Sequence, residues 1–595
     1  MRLINIQAFL ERERVLSKKR KVDRRTKVFE FGDDRATSYA ILSHRWFDEE
    51  EVDYEEMVDL AKMDREERGE IRQRLGYKKI LDSCEQAQKD GYAWLWVDTC
   101  CIDKRSSAEL SEAINSMYRW YENSGVCYTY LHDVESNSYF PTFRDFKNYR
   151  KFNGYPEWFS RGWTLQELIA PKDVQFFNKD WQLIGDKKSL STVLSEATQV
   201  PKYILTDGLS SNRPCVAQIM SWAATRQTTR IEDRAYSLMG LLGVNMPMLY
   251  GEGKKAFHRL QLEIIRSSND QSIFAWDRNG AWAWTGCILA DDPSFFADCS
   301  TMELMDHDEF LRSLKDRIPE RELPLINQDH LGSFLITNRG IQIWMLLRPY
   351  EGSCSVFQTW LPCKRYPSDR PEVINLALWD SNYYRCSSSV LRGMPTEPAI
   401  QFRQVYLRYQ GTSHHDITLA IDDSAVIDRG FTCLASKLPG NMLQLTAISP
   451  LCVRIYSDRQ TNRRLSMAFG QYLGQDWLHF DWVSPGGFWS SDEQKLLVRA
   501  SEHAKPMAKA LSRDVSYGRA CIKYTRLPQS TWIVRTVRVV WEKSSIGIWM
   551  DILPCHDFHG ALDKWTNLDV KVSRFFGLNT HYFYDHFLAK QRSRS

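Results

Sequence analysis

Polar and titratable side chains follow three short apolar runs that we predict to be β-strands. The runs are Tyr39–His44, Trp94–Val97 and Val126–Leu131. In a doubly wound sheet, ligands bind beyond the carboxyl ends of the strands, near the point where the strand order reverses. We therefore expect a site for a polar ligand at this edge, unless the same side chains only cap helices or face water. The side chains concerned are Ser43, His44, Arg45, Trp46, Asp98, His132 and Asp133.

The elements that must position these residues follow from the alternation of apolar runs and helical patterns. Over residues 1–200 this alternation is typical of βαβ units and predicts an α/β domain with a mostly parallel sheet. Within it, the strongly acidic segment 48–70 is predicted to be solvated. A helix is predicted over Trp163–Ala170, ended by Pro171, and a possible capping box joins Ser106 and Glu109.

The rest of the chain does not show this alternation of strand and helix patterns. Residues 201–290 predict a helical extension, with one of its helices over 232–242. Residues 291–595 carry many short strand patterns and predict a β-rich region, either two lobes or one large sandwich. Inside that region, Asn338–Gly340 between two apolar runs predicts a hairpin turn.

Length and composition exclude several classes of protein. The chain has 595 residues, which exceeds what one core serves and predicts roughly two to four domains. A hydrophobic share of 43% and a charged share of 26% exclude global disorder and fibrous repeats. The net charge of +3 gives no argument for nucleic acid, and no apolar run approaches the length of a membrane span. The N-terminus lacks the apolar core of a signal peptide, and the 14 scattered cysteines favour reduced thiols in an intracellular protein.

The same strand ends could in principle support other chemistry. Cys100 or Cys101 with a histidine, His44 or His132, would make a thiol nucleophile, but adjacent cysteines at a strand end more often pack in the core. No pairing of these residues has the spacing of zinc ligands. The segment Gly251–Lys255 fails the phosphate-binding Walker pattern and is better interpreted as the turn that enters a helix.

Four blocks of residues resemble the successive signatures of the heterokaryon-incompatibility (HET) domain, in that family's order and spacing. A following stretch, Ser221–Gly253, resembles the helical segment that commonly comes after this domain. The resemblance covers about residues 38–180 and says little beyond residue 290. The four blocks are Tyr39–Trp46, Gly76–Ile80, Leu95–Asp103 and Ser160–Leu168.

This resemblance implies a filamentous-fungal protein of nonself recognition that triggers cell death when incompatible partners fuse. HET domains are similar to Toll/interleukin-1 receptor (TIR) domains, which have a flavodoxin-like fold, and some TIR domains hydrolyse NAD. Those enzymes use a glutamate four residues after a tryptophan, and Ser160, Trp163 and Glu167 reproduce that spacing. Thr164 stands where TIR enzymes often carry cysteine.

The implied roles can be stated chemically. Cleaving the nicotinamide–ribose bond passes through an oxocarbenium-like state, which the Glu167 carboxylate would stabilise, with NAD as substrate and no cofactor. Trp163 would wall the pocket and Arg45 would hold the pyrophosphate. Ser43 would donate to phosphate or nicotinamide, and His44, Trp46 and Asp98 complete the expected substrate-binding set. The alternative for Glu167 is a surface carboxylate near a helix start, favoured there by the helix dipole.

Two further classes of function stay open at this point. In the first, the HET domain is a non-catalytic module that docks on a partner. In the second, the protein is a degenerate family member that neither cleaves NAD nor docks on a partner. For the enzyme we expect self-association through the HET domain, an unidentified incompatibility partner, and neither membrane nor nucleic acid. We expect a cytoplasmic protein, with nuclear import through the basic run Lys18–Arg25 as a further option, although a solvated loop is the better interpretation of that run.

Overall fold

The computed structural model describes most of the first 409 residues and selected segments after them. The basic run Lys18–Arg25 lies outside the described residues. Among the described residues, no helix is long and apolar enough to cross a membrane. The described ranges are 1–17, 27–47, 49–60, 65–135, 149, 154–209, 211, 213–277, 287–326, 328–349, 356–379, 382–386, 400–409, 417–436, 442–445, 451–458, 464–472, 475–483, 515–517, 520–526, 532–542 and 545–554.

The N-terminal region is built on a seven-stranded sheet in the order β2-β1-β4-β3-β5-β6-β7. Its centre is parallel: β3 pairs with β4 on one side and with β5 on the other, and β5 pairs with β6. In chain order these four strands lie 2-1-3-4, so the order reverses between β3 and β5. The strands are β1 Arg2–Asn5, β2 Phe29–Phe31, β3 Ala40–His44, β4 Trp94–Trp96, β5 Val126–Tyr130, β6 Val174–Phe177 and β7 Leu183–Asp186.

The prediction of a mostly parallel sheet is correct for these four central strands and wrong for the edges. β1 pairs antiparallel with both β2 and β4, and β7 pairs antiparallel with β6. The connection from β6 to β7 is a tight turn at Asn178, whose backbone N–H donates to the Gln182 carbonyl at 3.0 Å. A turn this short can join only antiparallel strands, because a parallel pair needs a crossover of a dozen or more residues. The sheet is therefore mixed.

Eight helices of the described residues accompany this sheet. α5 begins after Ser106, whose side chain accepts a hydrogen bond from the Glu109 backbone N–H. The Glu109 carboxylate bonds to the N–H of Asp103 instead of returning to Ser106, so only half of the predicted capping box forms. The helices are α1 Ile6–Ser17, α2 Tyr54–Asp59, α3 Arg65–Gln73, α4 Leu75–Lys89, α5 Ser107–Asn123, α6 Thr164–Ile169, α7 Ser191–Thr198 and α8 Lys202–Asp207.

The acidic segment 48–70 is not simply solvated, contrary to the prediction. Val52, Met57 and Leu60 are fully buried and anchor it to the core. The segment also approaches the start of α4 closely, because the Gly76 N–H donates to the Glu50 carbonyl at 3.0 Å. A side chain at position 76 would place its Cβ 2.4 Å from that carbonyl oxygen, so the glycine of the second HET-like block is required for this contact.

The helical extension contains α9 Val216–Trp222, α10 Asp233–Tyr236 and α11 Lys255–Ser267. The predicted helix over 232–242 is wrong beyond Tyr236, because the chain continues in turns. Gly240 packs directly on α5, where an added Cβ would lie 2.1 Å from the Cβ of Tyr118. Gly243 then adopts a left-handed conformation with φ of 67°, which ends the turn series.

The C-terminal region is β-rich, as predicted. Its described strands form a seven-stranded sheet in the order β8-β11-β12-β13-β14-β10-β9, a six-stranded sheet in the order β17-β15-β24-β23-β22-β21, and a four-stranded sheet in the order β16-β18-β19-β20. The predicted hairpin at Asn338–Gly340 is confirmed, since β9 and β10 pair antiparallel across it. The elements are β8 Met302–Leu304, α12 His307–Leu314, α13 Gln328–Leu331, β9 Leu335–Ile336, β10 Ile341–Pro349, β11 Val356–Arg365, β12 Pro371–Trp379, β13 Asn382–Cys386, β14 Gln401–Leu407, β15 Ile417–Asp422, α14 Ser424–Asp428, β16 Phe431–Ser436, β17 Met442–Leu445, β18 Leu451–Asp458, β19 Arg464–Tyr472, β20 Gln475–Val483, β21 Val515–Tyr517, β22 Ala520–Arg526, β23 Trp532–Glu542 and β24 Ser545–Pro554.

One continuous apolar core runs from Leu3 to Leu407. It joins the N-terminal sheet, the helical extension and the first C-terminal sheet, with Trp96, Trp158 and Trp222 among its largest buried side chains. Fully burying one large apolar side chain is worth about 1.5–3 kcal/mol. The extension is therefore packed as part of the same body as the sheet that carries the predicted site residues.

Candidate functional site

The predicted site residues meet at the carboxyl ends of the central parallel strands. Ser43 and His44 are the last two residues of β3, and Asp98 follows β4. Because β3 lies between β4 and β5, these side chains and His132 after β5 share one edge of the sheet. This is the edge where the strand order reverses, at which open α/β sheets bind their ligands.

The centre of the site is a hydrogen-bonded chain from Trp158 through Ser43 to Glu167. The Ser43 hydroxyl donates to Oε2 of Glu167 at 2.5 Å, and Nε1 of Trp158 donates to the Ser43 Oγ at 2.9 Å. Glu167 is 5% exposed, in a helix, α6, whose every residue is buried. The alternative of a surface carboxylate near a helix start is therefore wrong.

The protonation of Glu167 is set mainly by its burial. Burial, helped by the negative charge of Asp98, raises the pKa of Glu167 from its ordinary value to about 8. The Ser43 hydrogen bond and the positive charges of Arg161 and Arg226 act in the opposite direction. The carboxyl group is therefore largely protonated at neutral pH, and a cation bound beside it would favour its ionised form.

A second polar group surrounds the His44 ring. Nε2 of His44 lies 3.5 Å from Oε2 of Glu51 and 3.9 Å from Oδ1 of Asp98. The Lys79 ammonium donates to Oε1 of Glu51 at 2.5 Å and to the Arg45 carbonyl at 3.0 Å. Burial opposes ionisation of Glu51, but His44 and Lys79 outweigh it and hold the pKa of Glu51 at about 2. Glu51 is thus ionised at neutral pH, with its side chain 16% exposed.

Several buried polar atoms of this group have no hydrogen-bond partner among the described residues. They are both ring nitrogens of His44, Oε2 of Glu51 and Oδ1 of Asp98. Native proteins satisfy most buried polar atoms, so a cluster of unsatisfied ones at a strand edge calls for a ligand or ordered water. The cluster combines donors with acceptors, which suits hydroxyl or amide groups of a ligand.

Arg45 begins a neighbouring group of charges. Its Nε lies 2.6 Å from Oε1 of Glu157, and Nε2 of His132 lies 3.7 Å from the other oxygen of that carboxylate. Burial lowers the pKa of His132, which keeps the imidazole neutral at physiological pH. Arg45 is thus already engaged through one nitrogen, and its contact with a pyrophosphate stays a prediction for the remaining two.

The two tryptophans of the predicted set lie in different surroundings. Trp46 is 40% exposed, donates to Oδ2 of Asp98 at 2.9 Å, and carries the Lys104 ammonium 3.7 Å from its ring centroid. Trp163 precedes α6 directly and hydrogen-bonds to Asp233 of α10, whose pKa is raised by burial in spite of that bond. The indole that contacts Ser43 is that of Trp158, so the role of Trp163 as a pocket wall stays a prediction.

Sequence reasoning missed Trp158, Glu51, Lys79 and Arg226. Lys79 stands inside the second HET-like block and was available as a signal. Glu51 was hidden in an acidic run, and Trp158 and Arg226 carry no local pattern that separates them from ordinary core or surface residues. Only the folded chain brings them beside Ser43 and Glu167.

The structure gives little support to a thiol nucleophile at Cys100 or Cys101 or to a phosphate site at Gly251–Lys255. Cys100 and Cys101 are buried, and burial raises the pKa of the Cys100 thiol far above its usual value, which disfavours a thiolate nucleophile. Among the described residues, no group of three or more His, Cys, Asp or Glu side chains is arranged to hold a metal ion. The backbone N–H groups of Gly251 and Gly253 bind Oε1 of Glu232 at 2.8 and 2.9 Å, so this turn before α11 holds a carboxylate of its own chain.

Comparisons with known proteins agree with the motif blocks. The profile of the family described as heterokaryon incompatibility protein (HET) matches residues 39–155, and that of a domain of unknown function (DUF8212) matches residues 255–285. The HET match includes Ser43, His44 and Asp98 and ends before Trp158 and Glu167.

A similar curated protein is the vegetative incompatibility protein HET-E-1 of Podospora anserina. It is 44% identical over 237 residues, which is 38% of this chain and 16% of the relative, so the chain spans only a small part of that protein. No solved structure matches the chain. The motif blocks, the family match over residues 39–155 and this relative agree that the chain carries a HET domain.

Proposed function

We propose that this protein acts in heterokaryon incompatibility in the fungal cytoplasm and triggers cell death on nonself recognition. The support is the HET family match and the relative named as a vegetative incompatibility protein. We further propose that its HET domain is TIR-like and cleaves NAD. The 2-1-3-4 order of β4, β3, β5 and β6 agrees with a flavodoxin-like arrangement.

The proposed reaction is hydrolysis of the bond between nicotinamide and ribose. The C–N bond breaks, its electron pair leaves with the ring nitrogen, and nicotinamide departs neutral. The oxygen of a water molecule then bonds to the ribose C1′ and loses a proton, which gives ADP-ribose. The positive charge that develops on the ribose is what a carboxylate at the site would stabilise.

The observation that carries this proposal is the hydrogen bond between Ser43 and the buried Glu167. A buried carboxyl with a pKa of about 8 interacts weakly with water, and its ionised form is stabilised strongly by a cationic substrate. The nicotinamide ring of NAD carries such a charge. The unsatisfied atoms of His44, Glu51 and Asp98 lie at the same strand edge and suit the hydroxyl groups of ribose.

Self-association belongs to the proposal because the carboxylate is only 5% exposed. We propose that NAD reaches Glu167 when the segment that carries Trp158 moves away from Ser43. We propose that contacts between HET domains of two or more chains favour this open state, so that activity depends on clustering. The incompatibility partner would act by controlling the clustering.

The experiment measures nicotinamide release from NAD by the purified full chain, free and fused to an inducible clustering module. We expect release on clustering, and a loss of at least about 100-fold in Glu167→Gln, which removes the charge at constant shape. Glu196→Gln on the exposed face of α7 is the matched control and should behave as the parent. Equal background release by all variants when clustered would refute the enzymatic proposal.

A second candidate is a non-catalytic docking module, favoured by the exposed edge of the sheet. β2 is an edge strand, and its Phe31 is 80% exposed, which is unusual for a large apolar side chain. Toxicity on expression that survives Glu167→Gln but is lost in Phe31→Ser would favour docking over catalysis.

A further inference from the structure

Arg226 lies outside the residues that the HET profile matches, yet its side chain reaches the helix that carries Glu167. It follows α9 in the helical extension and is 3% exposed. Its Nη1 donates to the Arg161 carbonyl at 2.8 Å and to Oγ1 of Thr164 at 2.9 Å. Thr164 is the first residue of α6, so one turn of helix separates this contact from Glu167.

The backbone beside Arg226 holds the same segment. The Gln227 N–H donates to the Ser160 carbonyl at 2.6 Å, and the Gly162 N–H donates to the Gln227 carbonyl at 2.8 Å. The approach is so close that a Cβ at position 162 would lie 2.5 Å from Cγ2 of Thr228. The start of α6 is therefore fixed by the extension and not only by its own sheet.

Thr164 links Arg226 to Trp158 through hydrogen bonds. Its hydroxyl donates to the Trp158 carbonyl at 2.7 Å while its oxygen accepts from Arg226. Trp158 in turn donates through its indole to Ser43, which donates to Glu167. Arg226 thus reaches the site in two ways: its partner Thr164 bonds the backbone of Trp158, and its own contacts fix the start of the helix that carries Glu167.

The charge of Arg226 acts on the same group. Its Nη2 is buried without a hydrogen-bond partner among the described residues. Burial lowers the pKa of Arg226 to about 9, and the negative charge of Glu167 opposes that fall. The other groups that interact electrostatically with Glu167 are Asp98, Ser43, Arg161, Tyr121 and Cys127. Arg226 is the most deeply buried cation of this set.

We propose that Arg226 is a positioning residue for Glu167, so that the working site consists of the HET domain together with the helical extension. This inference rests on the proposed NAD-cleaving function. A purely structural role for Arg226 would also tie the extension to α6. It would leave the ionisation of Glu167 unchanged, and the test uses that difference.

The test compares Arg226→Gln and Arg226→Lys in the clustered full chain by the pH dependence of NAD cleavage. In Arg226→Gln we expect the limb of kcat/KM that reports Glu167 to move to higher pH, because a nearby positive charge is lost. We expect kcat to fall at least about 10-fold with KM nearly unchanged, and Arg226→Lys to keep the limb near its parental position. Arg266→Gln, whose side chain is 54% exposed on α11, is the matched control and should change neither.

The same proposal can be tested without NAD by a double-mutant cycle, in which the thermal unfolding midpoints of the variants are compared. It uses Arg226→Gln, Glu167→Gln and the pair, at a pH above 8 where Glu167 is ionised. We expect the midpoint shifts to be non-additive, since the charge of Arg226 matters only while Glu167 is charged. Additive shifts, or a parental pH profile in Arg226→Gln, would overturn the proposal.

Failure of the two proposals can be told apart. A parent that releases no nicotinamide even when clustered refutes the NAD-cleaving function, and the unfolding cycle then decides on Arg226 alone. If Arg226→Gln does not fold, Arg226→Met replaces it in the cycle, because methionine also removes the charge and fills part of the same space.

Discussion

The Ser43 hydroxyl donates a hydrogen bond of 2.5 Å to the Glu167 carboxylate, although the two residues stand 124 positions apart in the chain. Ser43 ends the central strand β3 and Glu167 belongs to the buried helix α6. The pair exists only because the parallel sheet places the end of β3 beneath that helix. A weak acid held this way, with an indole on the other side of the hydroxyl, is the chemical centre of the site.

The first prediction concerns this hydrogen bond. Ser43→Ala removes a donor that favours the ionised form of Glu167, so we expect the pKa of Glu167 to rise. The limb of kcat/KM for NAD cleavage should then move to higher pH than in the parent. Ser107→Ala, at an exposed position at the start of α5, is the matched control. An unchanged profile in Ser43→Ala would show that the hydroxyl does not tune the carboxylate.

The second prediction is a pH dependence of stability. The folded-state pKa of Glu167, about 8, lies above the ordinary value of 4.5, so the folded protein binds more protons than the unfolded chain between these values. Glu167 therefore favours folding at low pH, and this contribution is lost as pH rises through about 8. Glutamine does not ionise, so Glu167→Gln does not lose this contribution. The unfolding midpoint of Glu167→Gln should therefore increase relative to that of the parent as the pH rises from about 5 to about 8.

Thermal unfolding of the two proteins across that pH range measures the difference. Glu196→Gln should follow the parent at every pH, since its side chain is exposed. A constant difference between Glu167→Gln and the parent would mean that the carboxyl titrates normally and is not enclosed as the structure shows.

The third prediction tests the buried ion pair beside His44. Lys79→Met leaves the Glu51 carboxylate buried without the cation that bonds it at 2.5 Å. Breaking a buried pair on one side costs about 3 kcal/mol, so we expect a loss of roughly that size. The adjacent Lys78→Met, at an exposed position, should cost little. Adding Glu51→Gln to Lys79→Met should recover part of the loss, and no recovery would contradict the pairing.

The fourth prediction concerns Trp46, the exposed aromatic side chain of the site. Stacking of a base on an aromatic ring is worth about 1–3 kcal/mol, so Trp46→Ala should raise KM for NAD about tenfold or more. Because the side chain is 40% exposed, thermal stability should change little. Tyr203→Ala, at a 43% exposed aromatic position on α8, is the control for NAD cleavage. Equal KM values for Trp46→Ala and the parent would remove Trp46 from the binding set.

The central strands and the strand-end residues could be predicted because their signals are local. Short apolar runs that end in polar residues mark β3, β4 and β5, and the rule for doubly wound sheets places their ends together. The same approach missed the antiparallel edges of the sheet. A short apolar run such as β1 does not reveal which strand it pairs with or in which direction. It also missed the end of α10 at Tyr236, which depends on the contact of Gly240 with Tyr118 in another helix.

The site itself was predictable only in part, for a related reason. Residue types and a family-like spacing directed attention to Ser43 and Glu167, but nothing in the sequence distinguishes Trp158 from Trp163 as the partner of Ser43. Burial of Glu51 within an acidic run, and the reach of Arg226 from the extension, are tertiary facts. Helical spacing predicts which residues lie on one face of a helix, but it does not predict which parts of the chain pack against that face.

The central claim is that Glu167 is the carboxylate that cleaves NAD, and the pH dependence of nicotinamide release by the clustered full chain tests it most directly. We expect kcat/KM for the parent to rise with pH as the Glu167 carboxyl ionises, and to fall at least about 100-fold in Glu167→Gln. Nicotinamide release by Glu167→Gln at the parental rate and with the parental pH profile would contradict the claim.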